Sequence, residues 1–92
     1  MRVNFYATLR DIIGGSHLVL DLPPGCTAQQ LFDLLIAQHP DLGPALLDEN
    51  KRLRRHLKMF INGREVAYLE GQFEYVVQPA DVVDIFPPVG GG

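Results

Sequence analysis

Three glycines close the chain, Gly90-Gly91-Gly92, and among all its residues these carry the plainest chemical signal. Glycine has no Cβ, so a Gly-Gly end can enter a channel too narrow for any other residue. It presents one reactive group, the carboxylate of Gly92, to another protein's active site. The tail alone reads equally well as a frayed end or a linker remnant, because chain ends are commonly both. Cys26 is a second candidate nucleophile. It lies between Gly25 and Thr27, at the start of a predicted helix whose dipole favours a thiolate. No base or redox partner stands near it in the sequence, so it reads as an inert thiol. His17, His39 and His56 have no metal-ligand spacing. Lys51, Arg52, Arg54, Arg55 and Lys58 form one basic cluster without interleaved aromatics, a solvated surface or a face for an acidic partner rather than for RNA. No P-loop, dinucleotide-binding glycine pattern or Ser/His/Asp arrangement is present. Nothing here resembles an enzyme acting alone.

Those residues sit in a chain of 92 residues, 47% apolar and 21% charged, which is the composition of one ordinary globular domain. A net charge of -3 speaks against nucleic acid and against a basic membrane-surface role. No apolar run approaches the ~20 residues that span a bilayer. Residues 1–4 lack the pattern of a signal peptide, and a single cysteine makes no internal disulfide. The expectation is a cytoplasmic protein without a membrane segment.

The elements that must position the tail follow from periodicity. Residues 3–9 alternate, with Val3, Phe5, Ala7 and Leu9 on one face, which predicts a half-buried strand. Gly14-Gly15 then predicts a turn, and 17–22 a second strand with Leu18, Leu20 and Leu22 inward, ended by Pro23-Pro24. Thr27 and Gln30 have the spacing of a capping box, and Leu31, Phe32, Leu34, Leu35 and Ile36 continue at helical spacing until Pro40 stops the helix near His39. Pro44 and Leu46-Leu47 predict a short helical turn; Leu53 and Leu57 anchor the basic segment. Residues 57–61 predict a third strand, Asn62-Gly63 a hairpin turn, and 65–68 a short return strand. Residues 69–80 show no regular element and should wrap the end of the sheet. Residues 81–86 predict the last strand, stopped by Pro87-Pro88. The expected architecture is two-layer α+β: a mixed four- to five-stranded sheet, one main helix on one face, and the last strand beside the first. Residues 1–86 would form the domain and 87–92 the flexible tail.

With one face covered by the helix, alternation puts Tyr6, Phe60 and Phe86 together on the open face, alongside Asp84, Lys58 and Asn62. Scattered exposed apolar residues are normal, but three aromatics on one face, one of them at the base of the tail, predict a docking patch.

The element order, Asn62-Gly63 and the run from Asp81 through Phe86-Pro87-Pro88-Val89 to the terminal glycines resemble the ubiquitin-like sulfur carriers, the MoaD/ThiS family, with the small subunit of molybdopterin synthase as the nearest type. The likeness runs from Phe5 to Gly92. Ala80-Asp81 departs from the Gly-Asp usual in the family, which implies a different turn, and Gly90 replaces the usual small residue before the glycine pair. The stretch 42–57 is longer than in thiazole-type carriers, which argues against that branch. The resemblance implies a β-grasp fold. It implies that a ubiquitin-activating-type adenylating enzyme (MoeB-like), using ATP and magnesium, adenylates Gly92, and that a sulfur donor system, typically a cysteine desulfurase, converts it to a thiocarboxylate. The carrier would then serve as sulfur-donor co-substrate with the large molybdopterin synthase subunit (MoaE-like), binding no cofactor itself. Gly92 would be the reacting residue, and Gly91, Gly90, Val89, Pro88, Phe86, Phe60 and Tyr6 the partner-binding ones. Three alternatives stay open: a protein modifier joined through Gly92 to lysines, a sulfur carrier for tRNA thiolation or cysteine synthesis, and a plain interaction module with an idle tail.

Overall fold

Val3 and Phe5 are fully buried while Arg2 and Asn4 are not, and this period-two pattern makes Arg2–Phe5 the first strand, β1. The structure is a computed structural model that describes residues 1–88. β1 pairs antiparallel with β2 (His17–Val19) and parallel with β5 (Val82–Phe86). On the far side of β5 lies β3 (Lys58–Ile61), antiparallel, and then β4 (Arg64–Glu65). The order β2-β1-β5-β3-β4 is a five-stranded mixed sheet with the last strand beside the first, as the sequence predicts.

The main helix, α2 (Ala28–Gln38), buries Ala28, Leu31, Phe32 and Leu35 in one core with Val3, Phe5, Met59, Ile61, Val83 and Ile85. Its capping box is formed: the Gln30 backbone N–H donates to Thr27 Oγ1 at 3.2 Å, and the Thr27 N–H donates to Gln30 Oε1 at 2.9 Å. Pro40 opens a 3-10 turn, and Pro44 lies in the short helix α3 (Gly43–Leu46), which buries Leu46. Asn62 and Gly63 have φ of 53° and 81°, the two positive values a type I′ hairpin requires.

The strand predicted over 3–9 ends at Phe5. Residues Thr8–Ile13 are instead a helix, α1, entered through Ala7 at φ 52° and ψ −132°. Leu9, Ile12 and Ile13 stand at i, i+3 and i+4, so a helical stripe competes with the alternation and places Leu9 in the core. Ala7, expected inward, is exposed. Gly14, at φ 72°, caps α1, so β1 and β2 are joined by a helix rather than by a tight glycine turn. β2 is shorter than the predicted 17–22, although the Leu20 N–H still donates to Met1 O. The return strand ends at Glu65, and Val66–Tyr68 is a 3-10 turn that buries Val66 and exposes Tyr68.

Residues 69–80 contain one 3-10 turn, Gln72–Glu74, and then close on the helix start, where the Ala28 N–H donates to Tyr75 O and the Val77 N–H to Cys26 O. Asp81 ends this segment. Its carboxylate accepts from Asn62 Nδ2 and the Gln78 N–H at 2.8 Å and from Tyr75 OH at 2.9 Å, while Asn62 Oδ1 accepts from the Val82 N–H. Ala80 is not among the residues with positive φ, so this turn does not need the glycine usual there. Among the described residues no helix is long and apolar enough to cross a membrane.

Candidate functional site at the base of the tail

Helix α2 covers one face of the sheet. The positions that alternate with the core residues therefore make up the other: Arg2 and Asn4 on β1, Lys58 and Phe60 on β3, Val82, Asp84 and Phe86 on β5. The register sets Asn4 beside Asp84 and Asp84 beside Phe60, with Lys58 opposite Phe86. Phe86 is the centre of an aromatic cluster. The Tyr6 ring stacks on it at 4.2 Å between centroids and 10° between planes, and Phe60 meets it edge-on at 5.5 Å and 85°. The three aromatics expected to share the open face are thus in mutual contact through Phe86.

A polar network ties this cluster to β1. Asn4 Nδ2 and Tyr6 OH both donate to Asp84 Oδ1, at 3.0 and 2.8 Å, and Arg2 Nε donates to Asn4 Oδ1 at 2.8 Å. The bond to Asp84 raises the Tyr6 phenol above its ordinary value, burial and the carboxylate charge adding to it, so Tyr6 stays a donor. Arg10 Nε donates to Phe5 O at 2.8 Å, and its guanidinium carbon lies 5.2 Å from the Tyr6 ring centroid. Lys58 Nζ pairs with Glu65 at 2.9 Å, which raises the lysine and holds it charged at the rim. Val82, 46% exposed, extends the apolar part of the face.

Sequence reasoning found the three rings but not Asn4, Arg2 or Arg10. The signal was there in part: Asn4 and Asp84 are polar at open-face positions, but only the parallel register of β1 and β5 makes them neighbours. Arg10 was hidden because the helix that carries it, Thr8–Ile13, was not expected.

Cys26 is 2% exposed, and burial, followed by the nearby Asp33 charge, pushes its thiol up rather than down despite the helix start beside it. Among the described residues no group of three or more His, Cys, Asp or Glu side chains is placed to hold a metal ion. In the chain direction, Pro87 is buried and Pro88 half-buried immediately beyond Phe86. Val89, Gly90, Gly91 and Gly92 lie outside the described residues.

A sheet of this order with one crossing helix invites comparison with known proteins, and the ThiS family model matches residues 3–92. The chain belongs to the ThiS family. Small archaeal modifier protein 3 of Haloferax volcanii is 28% identical over 92 residues, covering 100% of this chain and 98% of that protein. A Pyrococcus furiosus protein named for subunit 1 of a molybdopterin converting factor has the same β-grasp fold. It superposes with a TM-score of 0.76 at 24% identity over 96% of this chain and 95% of its own. A chain in the Amycolatopsis orientalis BexX/CysO complex superposes at 0.77 with 26% identity, covering 99% of this chain and 98% of that one. This ThiS-family chain therefore has its open-face aromatics at the start of the segment that runs on to Gly90-Gly91-Gly92, and the family match runs through Gly92.

Proposed function

We propose that this protein is a sulfur carrier whose Gly92 carboxylate is activated and converted to a thiocarboxylate. One observation carries the reading: in a chain that matches its family through Gly92, an aromatic cluster is built around Phe86, two residues before Pro88. The cluster gives a partner something to hold while the tail enters that partner's active site. The carboxylate oxygen attacks the α-phosphate of ATP, magnesium-bound in the activating enzyme, and pyrophosphate leaves. The acyl carbon of the adenylate is then electrophilic, and glycine leaves it open. A persulfide sulfur from the donor system attacks it and AMP departs, leaving an acyl disulfide. A thiol of the donor system then attacks the donor-side sulfur, breaking the S–S bond, so that the thiol is oxidised to a disulfide with the donor and the thiocarboxylate is released. The carrier supplies position and a reacting terminus rather than acid–base groups.

The delivery end is a pterin precursor held by the large subunit of a molybdopterin synthase. The Phe86-Pro87-Pro88-Val89 ending and the length of residues 42–57 support this branch over thiazole synthesis. The carrier is then the small, sulfur-donating subunit of that assembly. Intact mass of the protein purified from its own cells tests the reading. A gain matching sulfur in place of one oxygen, mapped to Gly92 by fragmentation, is the expected result. An unmodified terminus that also fails to react with ATP and the host's activating enzyme would overturn it.

A second reading has its own support. The Haloferax volcanii relative is named a modifier protein. In that reading the same adenylate is attacked by a lysine amine of another protein, and the product is an amide rather than a thiocarboxylate. Immunoblots for this chain separate the two, since conjugation gives slower-migrating bands that vanish when Gly92 is removed, and a pure carrier gives only the free protein.

A further inference from the structure

Phe60 and Tyr6 both touch Phe86, yet they are held very differently. Phe60 meets it with a ring edge from the neighbouring strand and has no polar group to fix. Tyr6 is constrained at several points. Its hydroxyl donates to Asp84 Oδ1 at 2.8 Å, and the same oxygen is held by Asn4 Nδ2. Its ring lies parallel to Phe86 at 4.2 Å, with the Arg10 guanidinium 5.2 Å from its centroid. Arg10 is itself anchored on Phe5 O, and it reaches there because the chain turns through Ala7 at φ 52°, a backbone state that a residue with a Cβ rarely adopts. A ring that serves only as a contact needs exposure, not a consumed hydroxyl and a strained turn beside it.

What the constraint reaches is the exit of the tail. Phe86 is the last residue of β5, and Pro87-Pro88 follow it. Proline fixes φ and restricts the residue before it, so a direction set at Phe86 is passed stiffly onward. Resting on the sulfur-carrier reading, we propose that Tyr6, held by Asp84 and Arg10, is a positioning residue that acts through Phe86 to aim the tail as it leaves the sheet. Phe60 and Val82 are left as the apolar contacts for a partner. Near-attack geometry is sensitive enough for this to matter, since a displacement of about 1 Å can slow a step up to ~100-fold.

The test uses the full-length protein, the adenylating enzyme of the same host, ATP and pyrophosphate exchange. Tyr6→Leu removes the hydroxyl and the stack, and Tyr6→Phe keeps the stack. Tyr6→Leu should lower kcat about tenfold with KM for the carrier within about twofold, and Tyr6→Phe, which keeps the stack but loses the Asp84 bond, should recover only part of that kcat. Arg10→Met should fall between them, and it decides the matter if Tyr6→Leu does not fold. A raised KM with unchanged kcat would make Tyr6 a docking contact and overturn the inference, as would no change in either. A readout independent of activity is the ¹⁵N order parameter of the Phe86 amide, which should fall in Tyr6→Leu; an unchanged value also overturns the inference. Should the wild-type chain not be adenylated at all, the sulfur-carrier reading fails, and the order parameter still decides whether Tyr6 steadies the end of β5.

Discussion

Asp81 sits where β5 begins, 9% exposed, with three donors converging on its two carboxylate oxygens. Burial pushes its pKa up, but the Gln78 N–H, Asn62 and Tyr75 bonds together outweigh that and leave it below its ordinary value of 3.8. A carboxylate with a depressed folded-state pKa contributes stability that is full above the unfolded pKa and is lost as pH falls through the folded one. The thermal midpoint should therefore hold down to about pH 4 and decline below it, whereas Asp81→Asn should start lower and decline less steeply. A neutral amide also places N–H groups where two donors need an acceptor, at a cost of roughly 1–3 kcal/mol at neutral pH. Thermal melts of both proteins between pH 2.5 and pH 7 (values set by the ordinary carboxylate range) check it; parallel curves would remove Asp81 from the acid response. Ala7 makes the opposite prediction. Its φ of 52° and ψ of −132° cost roughly 1–3 kcal/mol for a residue with a Cβ. Ala7→Gly should relieve most of that and, after the added freedom of the unfolded chain, stabilise by about 1 kcal/mol in a denaturant titration.

At the scale of elements, how much the sequence showed depended on whether one periodicity stood alone. α2 was legible to its ends because the Thr27 and Gln30 box, the apolar stripe and Pro40 all agree. Since the Thr27 hydroxyl accepts from the Gln30 N–H at the helix start, Thr27→Ala should cost about 1 kcal/mol in thermal or chemical unfolding, and Thr27→Ser little. β3, β5 and the Asn62-Gly63 turn were equally plain. The stretch 6–13 was not, because Ala7 and Leu9 continue the alternation of β1 while Leu9, Ile12 and Ile13 also fit a helix. Packing of the half-buried Ile12 and Ile13 against the core beside buried Leu9 decides for the helix, and packing is a tertiary fact. The same error hid Arg10, the cation beside Tyr6. In the candidate site, alternation was enough to gather Tyr6, Phe60 and Phe86 on one face. The pairing of Asn4 with Asp84 needed the parallel register of two strands 80 residues apart in sequence.

Across the whole molecule, the parts that make the fold and the parts that would do chemistry are separate. In β5, Val83 and Ile85 belong to the buried core, while Phe86, the centre of the aromatic cluster, stands on the opposite face of the same strand. Changes beyond Pro88 should therefore leave stability alone while altering what the protein can do. Adding one alanine after Gly92 leaves the sheet, the helix and the Tyr6–Phe86 stack as they are. It moves the terminal carboxylate one residue, about 3.5 Å of extended chain, past the position where an adenylating enzyme would hold it. It also gives the reacting carbon a neighbouring Cβ in a channel suited to glycine. The expected outcome is an unchanged melting temperature together with loss of ATP–pyrophosphate exchange by at least ~100-fold, the scale expected for a reacting group displaced by more than 1 Å. Val82→Ala should differ in kind, with KM for the carrier rising and kcat less affected, because it trims an exposed apolar contact and leaves Phe86 and the carboxylate in place. If the extended protein were still activated at the wild-type rate, the terminus would not be the reacting group. The aromatic face would then be a binding surface in its own right.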